Sequence, residues 1–266
     1  HLYRVAQDRP GLLHTETAVA HPVDRSALAQ AVGACALLGQ TPDGKRIHLF
    51  RGGLDSPVLR EVGRLRELAF RAVGEGSGRR RDLDRYDLIY DHLILWDPQD
   101  LEIVGAYRMV RTAAVVQDQG VEGLYTHSLF QFGPRMVPYL QQGLELGRSF
   151  VQPRYWGRRS LDYLWFGIGA YVRRYPECRY LFGPVSLSRD MPQAARDLLV
   201  HHYRSHYGEP GVAEARHPYV PGSDLEAVAS GDSSADFVRL KHLLAHLGCS
   251  VPTLYKQYAE VAEPGG

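Results

Sequence analysis

A glutamate and an arginine stand in one short segment, LELGRSFV at residues 144–151, whose pattern predicts a β-strand. They are Glu145 and Arg148. A carboxylate placed beside an amine can accept its proton, and such general base catalysis is worth about 10²–10⁴-fold in rate. The alternative is structural, with Glu145 as a sheet carboxylate paired to Arg148. Residues at i and i+3 point to opposite faces of a flat strand, so a shared site requires a bulge or separate roles on the two sides.

A basic loop follows this strand and ends where a helix is predicted to begin. We expect Ser160 to be the N-cap of that helix, with Asp162 in its first turn, where a negative charge suits the helix dipole. Exposed amides at a helix N-terminus beside guanidinium groups are typical of a phosphate receptor, although most charge runs are solvated faces. The candidate phosphate-binding residues are Arg154, Gly157, Arg158, Arg159 and Ser160. Strand and loop together indicate a transferase that uses a phosphate-bearing carrier.

The composition is that of a globular protein that does not bind nucleic acid through its overall charge. The chain has 266 residues, 44% of them hydrophobic, and 31 basic side chains balance 30 acidic ones. Its three cysteines, Cys35, Cys178 and Cys249, are widely spaced and odd in number, which favours a reducing compartment. No apolar run approaches the ~20 residues of a membrane span, and no secretory signal is evident. These features predict a soluble, cytoplasmic protein.

Hydrophobic periodicity predicts alternating strands and helices. The turn TPDGK separates two short strands, and DPQD joins a second pair into a hairpin. Predicted strands cover residues 34–38, 47–49, 88–96, 103–110, 144–151 and 180–185. Predicted helices cover residues 57–73, 160–174, 192–207 and 234–247, with a short one near 138–142. Because the hairpin requires antiparallel pairing, we expect an α/β fold with a mixed sheet and helices on both faces.

Five short motifs resemble those of a known group of enzymes. They are Arg66-Glu-Leu-Ala-Phe70, Asp84-Arg-Tyr-Asp87 leading to His92, Val104-Gly-Ala-Tyr-Arg108, Glu145-Leu-Gly-Arg148, and LFGPVSLS at 181–188. The pattern resembles the GNAT superfamily, in the branch that N-acylates amino acids from acyl carriers. That branch includes ornithine-lipid acyltransferases, N-acyl amino acid synthases, proteins labelled hemolysin-like and, more distantly, autoinducer synthases. The resemblance implies a GNAT-like, mostly antiparallel sheet and a role in lipid biosynthesis.

The resemblance also implies a domain plan and a set of site residues. Residues 1–45 are expected to be a lead-in, 46–207 the acyltransferase domain, and 208–266 a loop and C-terminal helical extension, all within the C-terminal half of a longer protein. Glu145 and Arg148 are the expected catalytic residues. Arg148 could fix Glu145, bind an amino acid carboxylate or hold the preceding acidic loop, and we favour a role in orienting the site. The expected substrate-binding residues are Arg66, Phe70, Asp84, Asp87 and Arg108.

The two aspartates of the acidic loop allow two interpretations. Asp84 and Asp87 either recognise the cationic amine of the acceptor or serve turn and cap chemistry within the loop. An α-amino group has a pKa of about 8, so the acceptor must lose a proton before it attacks a thioester. Glu145 is the candidate base for that proton. A missing tryptophan after the Arg66–Phe70 motif makes autoinducer synthesis a poor fit.

The donor is expected to be a phosphopantetheine thioester. A typical GNAT loop ends in a small residue where this chain has Arg159, which favours acyl carrier protein over acyl-CoA. An acidic carrier would dock on basic residues of the loop and the helix that follows, which are Arg154, Arg158, Arg159, Arg173 and Arg174. The remaining interpretations are a non-catalytic domain that binds acyl chains or a partner, and a CoA-dependent acetyltransferase. A peripheral contact with the membrane fits an acyl substrate, and no metal is expected.

Histidines do not suggest further chemistry. His92 lies in an apolar strand and is interpreted as a core residue rather than a catalyst. His201, His202 and His206 share one predicted helix, but no HExxH pattern accompanies them, so a zinc site is not predicted. Cys178 has no evident histidine partner, so covalent catalysis is not predicted either.

Overall fold

The computed structural model describes residues 16–188, 190–222 and 231–262. The first part of the predicted lead-in, residues 1–15, and parts of the predicted loop and C-terminal extension, residues 223–230 and 263–266, lie outside the described residues.

A six-stranded sheet organises the fold, with strand order β1-β2-β3-β4-β6-β7. The first three neighbouring pairs are antiparallel, whereas β6 and β7 pair in parallel. The predicted mixed, mostly antiparallel sheet is confirmed. A separate two-stranded sheet joins β5 to β8. The strands are β1 (Ala36–Gln40), β2 (Arg46–Phe50), β3 (Asp91–Asp97), β4 (Glu102–Arg111), β5 (Phe130–Phe132), β6 (Gly143–Val151), β7 (Tyr180–Phe182) and β8 (Ala213–Ala215).

The α-helices confirm all of the long predicted helices and add several short ones. They are α1 (Arg25–Gly33), α2 (Pro57–Arg71), α3 (Thr112–Gln119), α4 (Tyr125–Leu129), α5 (Val137–Gln141), α6 (Ser160–Arg174), α7 (Gln193–Tyr207), α8 (Ser233–His246) and α9 (Thr253–Val261). The sequence pattern did not predict α1, which lies in the expected lead-in, nor α3 and α4, which lie between the strand predicted at 103–110 and the short helix predicted near 138–142.

The contacts divide the chain into two compact units. The first unit contains the described residues up to 110 together with 146–177, and the second contains 111–145 together with the described residues from 178 onward. The predicted plan instead set its boundaries at residues 45 and 207. Within the predicted lead-in, residues 25–33 form α1, and the strand predicted at 34–38 is the edge strand β1. Ala213–Ala215, beyond residue 207, pairs with β5.

In the first unit, helices cover both faces of the sheet. The apolar stripe of α2, which includes Val58, Leu59 and Val62, packs with Ile94 in one core cluster. On β3, the next side chain points the opposite way, and there Leu93 lies against Gly167 of α6. A Cβ at Gly167 would come within 2.7 Å of the Leu93 side chain, so this close helix–sheet contact requires glycine.

The second unit has its own core between α7 and α8. Ala195, Leu198 and Leu199 of α7 pack with Leu240 and Leu244 of α8. In the same unit, Thr112 Oγ1 donates to a backbone carbonyl oxygen, that of Leu140 or that of Gly143, at 2.8 and 3.0 Å. These contacts hold the end of α5, at Leu140, and the start of β6, at Gly143, against the start of α3.

Candidate active site

Glu145 is buried on β6, with 1% of its surface exposed. Its Oε1 atom accepts two hydrogen bonds from one residue, at 2.6 Å from the backbone amide of Thr126 and at 2.7 Å from its hydroxyl. Thr126 is itself buried in α4. The two donors fix the position of this carboxylate oxygen.

The pairing of β6 with β7 is confined to the start of the strand. Gly143, Leu144 and Glu145 pair with Tyr180, Leu181 and Phe182, and β7 ends there. Glu145 is therefore the last residue of β6 in this parallel ladder.

Arg148 breaks the extended geometry of β6. Its φ angle is 48°, in the left-handed region that non-glycine residues adopt only under constraint. A backbone of this kind costs about 1–3 kcal/mol and persists where the surrounding structure holds it. The strand thus departs from extended geometry at Arg148, between Glu145 and Phe150. Arg148 Nη1 lies 3.1 Å from Asp82 Oδ2, and Nη2 lies 3.8 Å from Asp84 Oδ2.

The acidic loop before β3 is built by its own aspartates. Asp84 accepts from the amide of Tyr86 at 2.9 Å, and Asp87 Oδ2 accepts from the amide of Asp84 at 2.7 Å, which makes a reciprocal capping box. The interpretation as turn and cap chemistry is confirmed. The resulting 3₁₀ turn at Arg85–Leu88 delays β3, which begins at Asp91 rather than at the predicted residue 88.

Three arginines and three aspartates of the first unit form one network, which we call the arginine–aspartate cluster. Arg66 contacts both Asp87 oxygens, at 2.9 and 3.0 Å, and the Asp82 carbonyl oxygen at 2.6 Å. Arg108 Nη1 lies 2.6 Å from Asp84 Oδ1 and 3.2 Å from Asp87 Oδ1. The members are Arg66, Asp82, Asp84, Asp87, Arg108 and Arg148.

Electrostatics explain how these charges tolerate burial. Burial alone would raise the pKa of Asp87, but the positive charges of Arg66 and Arg108 outweigh it and lower that pKa. Burial would likewise lower the pKa of Arg108, and Asp87 and Asp84 reverse the shift and raise it. Each ion is stabilised only while its partners are present.

The predicted substrate-binding residues are mostly occupied within this cluster. Arg66 and Arg108 are each 1% exposed, and the Asp87 side chain is fully buried. A direct contact of Asp87 with an acceptor amine would require the network to open. Asp84 is the cluster aspartate that reaches the surface, with 25% of its side chain exposed. Phe70 lies beneath the Arg148 guanidinium, 6.0 Å from the ring centre.

His92 is buried, as predicted for a core histidine. Its Nε2 lies 3.0 Å from the carbonyl oxygen of Asp87, and Nδ1 has no hydrogen-bond partner among the described residues. Burial lowers the pKa of His92 to about 4, with the nearby arginines adding to the effect. The ring is therefore neutral at physiological pH.

The predicted phosphate loop differs from expectation in two details. Arg159, not Ser160, is the N-cap of α6, and its side chain makes no capping hydrogen bond. Ser160 is the first helical residue and is buried. Arg154 is engaged in ion pairs with Asp100 and Glu102, at 2.7 and 2.9 Å, which reduces its capacity for an external anion.

The three loop residues before Ser160 are exposed. Gly157 has a φ angle of 73°, which explains why glycine stands at this turn. Arg158 lies over the ring of Tyr155 at 5.4 Å, and Arg159 forms a loose, exposed pair with Asp162 at 3.5 Å. Both guanidinium groups are accessible at the surface.

Sequence reasoning missed two residues of these networks. Thr126 carries no periodic signal, because it lies in a five-residue helix and its partner is 19 positions away. Asp82 was detectable, since it begins the same acidic run as the two predicted aspartates, RDLDRYD at 81–87.

The predicted histidine cluster lies in the second unit. His206 Nε2 is 3.0 Å from Asp236 Oδ2, and the buried His202 has a pKa lowered to about 4, first by burial and then by His206. Within the described residues, no group of three or more histidine, cysteine, aspartate or glutamate side chains is arranged to hold a metal ion. No described helix combines the length and apolarity needed to cross a membrane.

Comparison with known proteins identifies the family. The model of the acetyltransferase (GNAT) domain matches residues 65–166, which include the arginine–aspartate cluster and β6. A glycine N(alpha)-acyltransferase of Phocaeicola vulgatus is 34% identical over 226 residues, covering 78% of this chain and 69% of that protein. This chain belongs to the GNAT superfamily, in its branch of amide-forming N-acyltransferases. The predicted family is thus confirmed.

Further relatives place this GNAT chain within the branch. A glycine N(alpha)-acyltransferase of Bacteroides thetaiotaomicron is 33% identical over 227 residues, covering 77% of this chain and 66% of that protein. An L-ornithine N(alpha)-acyltransferase of Brucella abortus is 31% identical over 177 residues, covering 55% and 61%. The chain therefore spans about two thirds of the length of these glycine acyltransferases. No solved structure matches it significantly.

Proposed function

We propose that this chain transfers an acyl group from a phosphopantetheine thioester to the α-amine of an amino acid, with glycine as the first acceptor to test. The proposal rests chiefly on Glu145, a buried carboxylate on β6 that Thr126 holds by one oxygen. Relatives named as glycine acyltransferases match a larger share of the chain than those named for ornithine, which supports glycine.

In the proposed reaction, Glu145 accepts a proton from the acceptor amine. The amine nitrogen then attacks the thioester carbonyl carbon, so that a C–N bond forms while the C–S bond breaks. The nitrogen gives up its second proton as the amide forms, and the departing thiolate takes up that proton and leaves as the carrier thiol. A base of this kind typically contributes about 10²–10⁴-fold, and backbone amides of β6 would stabilise the charge that develops on the carbonyl oxygen.

Arg148 has an orienting role in this proposal. Arg148 lies three residues beyond Glu145 on the same strand, and its side chain holds the acidic loop through Asp82 and Asp84. Its unusual backbone conformation needs such support. The arginine–aspartate cluster would thereby fix the course of β6 rather than bind substrate directly.

We propose acyl carrier protein as the donor. Arg158 and Arg159 are exposed beside the start of α6, where an acidic carrier and its phosphate could dock. An arginine at 159, in place of a small residue, leaves less room for the pyrophosphate of coenzyme A. Arg154, which is paired to Asp100 and Glu102, contributes less.

The test is a matched comparison of donors and acceptors. The chain is incubated with one long acyl group, presented on acyl carrier protein or on coenzyme A, or with acetyl-CoA, and in each case with glycine, ornithine or other amino acids. Thiol release and mass spectrometry of the product are measured. We expect N-acylglycine, with a higher kcat/KM for the carrier protein. Product with ornithine alone would identify ornithine, rather than glycine, as the acceptor. Product from acetyl-CoA alone would indicate an acetyltransferase. No product with any pair of donor and acceptor would support a non-catalytic binding domain.

A further inference from the structure

The segment that carries Thr126 is held by a part of the chain far away in sequence. Strand β5 pairs antiparallel with β8, so that Phe130, Gln131 and Phe132 face residues 215, 214 and 213. Gly133 donates to the Val212 carbonyl oxygen at 2.8 Å. A Cβ at Gly133 would collide with the Gly211 carbonyl, so this approach requires glycine. We call residues 125–133 with 211–216 the clasp.

Arg216 extends the clasp from β5 to α4. Its backbone amide donates to the Leu129 carbonyl oxygen at 2.9 Å, and its Nε donates to the His127 carbonyl oxygen at 2.9 Å. Its Nη2 lies 3.1 Å from His127 Nε2. Because a guanidinium group only donates, His127 Nε2 must be the acceptor in this contact. Arg216 thus donates to two backbone carbonyl oxygens of α4, those of Leu129 and His127.

These contacts matter because α4 has little stability of its own. A helix of five residues lies far below the length at which helices are stable in isolation. The direction of the Thr126 amide, which donates to Glu145, therefore depends on what holds the segment from outside. Arg216 does so next to Thr126 along the chain, at His127.

We propose that Thr126 is a positioning residue for Glu145 and that Arg216, through the clasp, keeps Thr126 in place. This deepens the proposed function, since it takes Glu145 as the base. It also assigns a role in catalysis to residues 211–216, which lie outside the segment matched by the GNAT family model. Hydrogen bonds to a carboxylate favour its charged form and so lower its pKa.

The test begins with Thr126→Val in the full chain, which removes the hydroxyl donor and keeps the backbone amide. We expect kcat to fall about 10-fold with KM little changed, because one hydrogen bond to a charged group is lost. The acid limb of the kcat/KM pH profile should move to higher pH, since the carboxylate loses a contact that favours its charged form. Thr126→Ser should restore both quantities. Thr253→Val, at the exposed first residue of α9, is the matched control and should change neither.

Arg216→Met provides the second arm, because it removes the side-chain contacts with His127 and keeps the backbone bond to Leu129. We expect a smaller fall in kcat with the same direction of shift in the acid limb. If Thr126→Val does not fold, Arg216→Met alone tests the proposal. If Glu145→Gln abolishes turnover while the Thr126 and Arg216 variants keep the wild-type kcat and pH profile, positioning is refuted and the proposed function stands. If Glu145→Gln is as active as wild type, both fail.

Discussion

Two buried carboxylates of this chain, Asp87 and Glu145, are held in different ways. Asp87 belongs to the arginine–aspartate cluster, where two guanidinium groups contact it and a capping box uses its second oxygen. Glu145 receives two hydrogen bonds at one oxygen from the single residue Thr126, in a segment that Arg216 and β8 hold. Asp87 is thus held by the full positive charges of two arginines. The two hydrogen bonds to Glu145 Oε1 come from neutral donors, in addition to any other contacts of Glu145.

The difference separates a role in the fold from a role in chemistry. A carboxylate locked between arginines has a lowered pKa and is a poor proton acceptor, whereas its removal leaves buried positive charge behind. A carboxylate oriented by an amide and a hydroxyl is better suited to exchange a proton with a substrate. We therefore propose a role in stability for Asp87 and a role in catalysis for Glu145.

The largest expected effect on stability is that of Asp87→Asn. It leaves Arg66 and Arg108 with one fewer counter-charge in a buried site, so we expect the free energy of unfolding to fall by about 3–5 kcal/mol. Urea denaturation followed by circular dichroism measures it. Asp162→Asn, which breaks only an exposed pair with Arg159, serves as the control and should change stability by less than about 1 kcal/mol. Equal effects of the two variants would contradict the claim that the buried arginine–aspartate cluster contributes more to stability than an exposed ion pair.

The next effect is a loss of stability in mild acid that originates at His92. In the unfolded chain a histidine binds a proton below a pKa of about 6.5, whereas folded His92 does so only near 4. The unfolded state thus binds more protons between these values, and stability should fall as pH drops from 6.5 to 4, by about 3 kcal/mol for this residue. Above pH 6.5 the contribution is constant.

Urea midpoints measured at pH 7.5 and pH 4.5 for wild type and His92→Asn test this expectation. The variant should lose less stability over that range, although His202, whose pKa is also lowered to about 4, keeps part of the pH dependence. An identical fall in both proteins would show that His92 is not the origin.

The smallest effect concerns arginines at the surface rather than in the cluster. The double variant Arg158→Glu with Arg159→Glu should raise KM for acyl carrier protein about 5–10-fold, because it reverses exposed charges that would attract an acidic carrier. The rise should shrink at high salt. Arg204→Glu, exposed on α7, is the control. An unchanged KM for the carrier would place the docking surface elsewhere.

Sequence periodicity predicted the elements that bury a continuous face. Helix α2 was expected because Leu59, Val62 and Leu65 recur at helical spacing, and all three are buried. Leu68 follows at the same spacing, but it is 38% exposed and lies at the edge of the buried face. Helix α1 went unpredicted, since only Leu28 and Val32 of its nine residues are buried and the pattern is too sparse.

The site was predictable only where its residues lie in short motifs. The aspartates at 84 and 87 and the arginines at 66, 108 and 148 were identified, but their mutual pairing follows from tertiary structure. Strands β5 and β8 have three residues each, too few to show alternation, and they lie more than 80 positions apart. The contact of Thr126 with Glu145 joins residues 19 positions apart and could not be read from local pattern.

The most direct test of the account is the turnover of Glu145→Gln, measured at a fixed concentration of folded protein with acyl carrier thioester and glycine. The substitution keeps the shape of the side chain and an oxygen that can accept hydrogen bonds from Thr126. The free energy of unfolding should therefore change by no more than about 1 kcal/mol. We predict a fall in kcat of about 10²–10⁴-fold. Glu260→Gln, an exposed carboxylate on α9, should leave kcat unchanged. A Glu145→Gln enzyme with a kcat close to that of wild type would contradict the account.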